Sequence, residues 1–120
     1  MSDSQALNDF FAAWGETDAG DRARLIASAT GDSFHYADPH APAAIKSVEA
    51  FLEYIAQFNQ NMPGASATVI EPVDIHHGHA RCNVRWNFGA GKQMVGQYFA
   101  GLDDAGRITS VVGFPGKGAE

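Results

Sequence analysis

Cysteine is nearly absent from this chain, and positive charge is scarce. The single Cys82 rules out an intramolecular disulfide, and nothing points to an oxidising compartment. Eight Lys and Arg stand against fourteen Asp and Glu, for a net charge of −6. Nowhere do basic residues form a run, which argues against a nucleic-acid partner and against an anionic membrane surface. No apolar stretch approaches the ~18 residues of a transmembrane helix. The start, Met1-Ser2-Asp3-Ser4, is polar and acidic, unlike a signal peptide. These absences predict a cytoplasmic protein with neither nucleic acid nor membrane as partner. Repeats, linkers and low-complexity segments are missing too, so one domain over residues 1–120 is expected. What is present is ordinary for a globular chain: 45% hydrophobic and 18% charged residues, enough for a core that needs no staples.

The stretch the chain is organised around is Ser33-Phe34-His35-Tyr36-Ala37-Asp38-Pro39-His40. Phe34 and Tyr36 are strand formers on one face, His35 and Ala37 on the other. Pro39 pushes Asp38 into an extended conformation and removes a backbone donor, so the strand ends there. A carboxylate fixed among aromatic side chains is desolvated, which suits proton abstraction. The competing reading is that Asp38 only starts a turn, as Asp before Pro commonly does. His35 lies on the opposite strand face and is read as a local hydrogen-bonding residue. His40, in the following loop, is a candidate shuttle near neutral pH.

Around that stretch the first half of the chain reads as helical. Leu7, Phe10, Phe11 and Trp14 form one apolar stripe, with Asp3 or Ser4 as cap and Gly15 weakening the end. Thr17–Asp21 has turn chemistry. A second short helix would bury Ala23, Leu25, Ile26 and Ala29 before Thr30-Gly31-Asp32 breaks it. Ser47 caps a third helix with Glu49 in its first turn. Its face is Val48, Phe51, Leu52, Ile55, Phe58 and Met62, and Pro63-Gly64 stops it.

From Ala65 the period changes from 3.6 to 2. Thr68–His76 reads as a strand whose Pro72 requires an edge position or a bulge, and His77-Gly78 as a tight turn. Ala80, Cys82, Val84, Trp86 and Phe88 alternate with Arg81, Asn83, Arg85 and Asn87 in a half-buried antiparallel strand. Gly89-Ala90-Gly91 and Asp103–Gly106 turn the chain into Lys92–Leu102 and Arg107–Phe114, and the tail Pro115–Glu120 is expected to be loose. Helices followed by a meander imply an α+β fold with helices on one sheet face. On the strand alternation Met94, Gly96, Tyr98 and Ala100 face inward. Val95, Phe99 and Val111 form an outer apolar patch, which predicts a homodimer through the sheets. His76, His77 and His79, with Cys82 nearby, invite a metal reading. Ligand pairs are missing and strand neighbours point to opposite faces, so solvated histidines on a hairpin are expected and no metal.

The order of these elements resembles the nuclear transport factor 2-like superfamily, and within it the SnoaL-like polyketide cyclases and ketosteroid isomerases. The similarity runs from about Ser4 to Phe114. It rests on the aromatic first helix ending in Asp18-Ala19-Gly20-Asp21, on Asp38-Pro39, and on the Ala44–Phe58 helix. It continues through Arg81-Cys82-Asn83-Val84-Arg85-Trp86 and Gly106-Arg107-Ile108-Thr109-Ser110-Val111. The resemblance implies a cone: a strongly curved, mostly antiparallel sheet closed by three helices, with an apolar pocket at its wide end. It implies a pocket among Phe10, Trp14, Tyr36, Phe51, Ile55, Phe58, Trp86 and Met94, a small apolar ligand or substrate, and no cofactor. Asp38 falls where the isomerases keep their base. Phe10 stands where they keep a tyrosine donor, and Tyr98 where they keep a protonated aspartic acid. The implied catalytic set is Asp38, Tyr98 and His40, in an isomerase or cyclase acting by proton abstraction. The alternative is a non-catalytic binding or assembly module. A related epoxide hydrolase family places an Asp-Arg-Asp set inside the cone, but Arg85 has the wrong phase for it if Trp86 faces inward.

Overall fold

A computed structural model describes residues 4–116 of the chain. Helix α1 spans Gln5–Ala12 and passes into a 3-10 turn, Ala13–Gly15. Leu7, Phe10, Phe11 and Trp14 are all buried, as their helical spacing requires. Ser4 sits at the N-cap without a capping bond. Its hydroxyl instead donates to the Glu71 carboxylate at 3.0 Å, and Asp3 lies outside the described residues. Helix α2, Ala19–Ala29, starts inside the segment that reads as a turn, because Asp18 accepts from the Asp21 amide at 2.8 Å and caps it. Its buried face is Arg22, Ile26 and Ala29, whereas Ala23 and Leu25 are half-buried. Arg22 is admitted because its guanidinium donates to the Glu16 carbonyl at 3.0 and 3.2 Å, so the buried charge is hydrogen-bonded.

Strand β1, Thr30–Ala37, follows α2 with no intervening break. Thr30 ends the helix by donating its hydroxyl to the Ile26 carbonyl. Helix α3, Val48–Asn61, is capped by Ser47, which accepts from the Ala50 amide at 3.1 Å. Four strands complete the chain: β2 Ser66–His76, β3 His79–Asn87, β4 Gln93–Leu102 and β5 Ile108–Pro115. The sheet order is β1-β5-β4-β3-β2. Only β1–β5 is parallel; the three meander pairings are antiparallel. The fold is therefore α+β with an open, mixed sheet. Strand β2 is an edge, and its register slips between Ile70 and Asp74, around Pro72, where a residue without a donor costs least.

Along β3 the inward residues Ala80, Cys82, Val84 and Trp86 are buried and Arg85 is exposed. The Asp-Arg-Asp arrangement is thus excluded by strand phase. One outward assignment changes. Register slips between Gly101 and Leu102, where Ser110 and Ile108 are the partners and Thr109 is extra. The bulge shifts the phase of β5. Val111 is consequently 1% exposed and belongs to the core, while Val112 joins Phe99 on the outer face. The end of β5 is also held rather than loose: the Gly116 amide donates to the Val95 carbonyl at 2.9 Å. The remaining tail, 117–120, lies outside the described residues. No described helix is long and apolar enough to cross a membrane.

Candidate functional site

Asp38 follows β1 directly, at the mouth of a cavity of about 330 Å³. Tyr36 and Ile45 close the intervening loop with reciprocal backbone bonds of 2.8 Å, so the carboxylate has a fixed base. Asp38 does make the turn that Asp before Pro favours: Oδ1 accepts from the amides of His40 at 2.8 Å and Ala41 at 2.9 Å. The turn and the site are one structure. Two tyrosines complete the surroundings. Tyr36 donates to Oδ2 at 2.6 Å, and Tyr54 on α3 shares its hydroxyl between Oδ1 at 3.0 Å and Oδ2 at 3.2 Å. A carboxylate has about four acceptor positions. Protein donors therefore meet nearly all of them.

Tyr98 approaches from β4 and lines the same cavity. Its ring lies on a floor made by two glycines. A Cβ on Gly96 would sit 2.9 Å from Tyr98 Cε2, and one on Gly113, its cross-strand partner, would sit 2.8 Å from Tyr98 Cδ1. Neither glycine has a positive φ, so ring packing rather than backbone conformation requires them. The Trp86 indole donates to the Tyr98 hydroxyl oxygen at 2.9 Å. Tyr98 thus accepts from within the protein and has its own proton to offer. Burial pushes its pKa up to about 12; the Trp86 bond works against that rise and the Asp38 charge adds to it. Tyr98 is a neutral donor at physiological pH. Burial, then the Asp38 charge, likewise raises the Tyr36 and Tyr54 hydroxyls well above their ordinary value.

Of the residues singled out in the sequence, Asp38, His40, Tyr98, Trp14, Phe58, Trp86 and Met94 line this cavity. Phe10, Tyr36, Phe51 and Ile55 do not. Phe10, Phe51 and Ile55 are fully buried and Tyr36 is 1% exposed. They form a packed layer behind the wall, because stacking of Phe10 on Phe51 at 5.0 Å and of Tyr36 against Phe51 at 4.9 Å fills that end. Tyr36 reaches the site only through its hydroxyl. Tyr54, Met62 and Phe88 are lining residues that sequence reasoning passed over, along with Gly113, Phe114 and Pro115 from β5. Tyr54 had a signal: it lies three after Phe51 and four before Phe58, within the apolar stripe of α3.

The walls are aromatic. Trp14 meets Trp86 at 5.0 Å and 87°, Phe58 at 5.2 Å and 85°, and Tyr54 at 5.9 Å and 88°. Trp14 Nε1 is the one buried side-chain polar atom without a hydrogen-bond partner among the described residues. The histidine cluster lies elsewhere, on the β2–β3 hairpin, where Nδ1 of His76 and His77 are 3.2 Å apart and all three rings are exposed. Among the described residues no group of three or more His, Cys, Asp or Glu is placed to hold a metal ion. His35 is exposed on the outer face of β1.

No protein-family model matches the chain, and no curated protein matches it by sequence. Solved structures do. An Agrobacterium tumefaciens protein assigned as an isomerase of the SnoaL-like family is 26% identical, with a TM-score of 0.81 over 93% of this chain and 95% of that one. A Catenulispora acidiphila protein with a ketosteroid isomerase-like fold, solved with trimethylamine, is 14% identical, with a TM-score of 0.74 over 93% and 85%. The epoxide hydrolase/cyclase-like enzyme SalBIII, of pyran ring formation in salinomycin, is 11% identical, with a TM-score of 0.71 over 95% and 90%. The chain has the fold of the SnoaL-like, nuclear transport factor 2-like and ketosteroid isomerase-like proteins, and its structural neighbours include proteins assigned as isomerases and cyclases.

Proposed function

We propose that this protein is an isomerase- or cyclase-type enzyme acting on a small apolar carbonyl compound, with Asp38 as general base. The observation that carries the reading is that Asp38 and Tyr98 line one apolar cavity, and that Tyr98 still has its hydroxyl proton to give. The substrate carbonyl oxygen accepts from Tyr98, and its acidic α-carbon lies against Asp38. Tyr54 holds the longest contacts on the carboxylate and yields first, freeing a lone pair. Asp38 takes the α-proton, the electron pair of the C–H bond moves into the enolate, and Tyr98 stabilises the oxygen as charge develops. Return of the proton at another carbon completes an isomerisation. Attack of the enolate carbon on a second carbonyl breaks that C=O π bond, and its oxygen takes the proton back from Asp38 to complete a ring closure. His40, at the mouth, exchanges the proton with water. Phe10 cannot donate a hydrogen bond, and one missing oxyanion donor typically costs about 100- to 1,000-fold in rate. Turnover is therefore modest. The test is solvent deuterium incorporation into a cyclic β,γ-unsaturated ketone, followed by NMR. The wild-type protein should exchange the α-position and Asp38→Asn should not; equal exchange by both rejects Asp38 as base.

The crowding of the Asp38 carboxylate favours a second reading, a binding or assembly module without turnover. The occupied acceptor positions explain why a ligand would bind there and leave unchanged. The outer sheet face fits assembly: Phe99, Val112 and Phe114 are 40%, 40% and 52% exposed, and the two phenyl rings lie 6.0 Å apart. We expect a homodimer through that face. Light scattering at tens of micromolar should give twice the chain mass, and Phe99→Ser with Phe114→Ser should return it to one. A monomeric wild type removes the dimer.

A further inference from the structure

We propose that the ligand of this cavity carries a small organic cation, a tertiary or quaternary alkylammonium group seated between Asp38 and the rings of Trp14, Phe58 and Trp86. The inference rests on the reading that this cavity is the ligand site, and it names the chemistry that site selects. Three observations lead to it. Among the lining residues Asp38 is the carboxylate, and none is Lys or Arg. Three of the chain's eight Lys and Arg are engaged elsewhere: Arg22 with the Glu16 carbonyl, Arg24 with Asp21, Arg81 with Asp74. The fixed charge at the wall thus favours a positive ligand over a negative one.

The second observation is the wall itself. Trp14, Phe58 and Trp86 all line the cavity and pack against one another at steep angles, so its wall is built from aromatic rings in several orientations, faces as well as edges. A cation within ~6 Å of such a face is attracted by the ring quadrupole, most strongly by Trp. Met62 and Met94 add adaptable thioethers to the same wall. The third observation is the crowding of the carboxylate. The His40 and Ala41 amides and the Tyr36 and Tyr54 hydroxyls already donate to Asp38. A primary ammonium would bring three N–H donors and find few acceptors for them, and an unsatisfied donor is costly. An alkylated ammonium has little or nothing to satisfy, and it still feels the charge. The same cation would acidify a neighbouring α-carbon. Within that reading the substrate class narrows to a carbonyl compound whose apolar body carries an alkylated ammonium group.

The test compares choline with 3,3-dimethylbutan-1-ol, its neutral isostere, in which carbon replaces the charged nitrogen. Trp14 and Trp86 are the chain's two tryptophans and both line the cavity, so intrinsic fluorescence reports occupancy directly; calorimetry gives the dissociation constants. Choline should bind at least about tenfold more tightly than the isostere, the scale of one desolvated cation–π contact. Ethanolamine, the primary amine, should bind more weakly than choline. Asp38→Asn should lower choline's affinity more than the isostere's and so erase most of the preference. Should Asp38→Asn fail to fold, by circular dichroism, the wild-type comparison decides alone. Equal or tighter binding of the isostere overturns the proposal, and so does absence of binding by both. Neither outcome touches the general-base reading, which deuterium exchange tests separately.

Discussion

The aromatic core of the molecule is continuous, yet two clusters within it do opposite things. At one, Phe10, Phe11, Phe34 and Phe51 pack with Leu7 and Ile55, all at most 3% exposed; the Phe10–Phe51 stack is inclined by only 14°. At the other, Trp14, Trp86, Tyr54 and Tyr98 line a cavity, where Trp86 donates to Tyr98 and Tyr54 to Asp38. Phenylalanine has nothing to satisfy and can close completely. Tryptophan and tyrosine carry N–H and O–H groups that favour a partner, and Trp86, Tyr54 and Tyr98 find theirs around the cavity, while Trp14 Nε1 has none. Core and site differ less in how apolar they are than in whether their rings carry a polar tip.

The largest effect should come from breaking the closed cluster. Phe51→Ala should cost about 3–5 kcal/mol in urea unfolding, as a large buried aromatic truncated without collapse. A loss below about 1 kcal/mol would mean that the cluster is not the centre of the core. At the open cluster, Tyr98→Phe should lower the rate of α-proton exchange by about 100-fold and cost about 1–3 kcal/mol in stability, because the buried Trp86 N–H loses its acceptor. If stability falls and the rate does not, the hydroxyl serves packing alone. Gly113→Ala sharpens the contrast, since its Cβ would press into the Tyr98 ring. A cost of about 1–3 kcal/mol from overpacking is expected, together with a shifted Trp86 emission as its bond to Tyr98 distorts. An unchanged spectrum would show that the ring is not held by its glycine floor.

The smallest effect lies at alkaline pH. Burial pushes the Cys82 thiol up to about 12, with the Glu71 charge adding to it, and the Tyr98 hydroxyl also to about 12. Both folded values lie above the unfolded ones, so the unfolded chain releases these protons first. Stability is then complete below about pH 8.5 and falls as pH rises toward 12. Cys82→Ala should remove the earlier part of that fall, below about pH 10, where tyrosine begins to titrate. Identical curves for wild type and variant would mean that the thiol is not desolvated.

Much of this was legible in order along the chain. The stripe Leu7, Phe10, Phe11, Trp14, the capping by Ser47 and the alternation from Ala80 to Trp86 are local patterns, and local patterns set which face is buried. The inward phase of Met94, Gly96, Tyr98 and Ala100 follows from the same rule, and the pairing of Tyr98 with Gly113 and Cys82 agrees with it. The phase of β5 was not legible, because the bulge at Thr109 depends on how β4 pairs. Nor was the division of the aromatic residues between core and cavity, since Phe10 and Trp14 stand on the same stripe.

By itself, then, the sequence determined the element order, the faces of the helices and strands, and an acid arrested by Pro39 at the end of β1. Those follow from backbone sterics and side-chain period, which act over a few residues. Only the tertiary structure decided what surrounds that acid. Tyr54 stands sixteen residues beyond Asp38 and Tyr98 comes from β4, the central strand of the sheet. What brings them together is the packing of α3 and β4 on either side of one core. Hydrogen bonds across such distances have no local signature, because their geometry is set by the relative placement of whole elements.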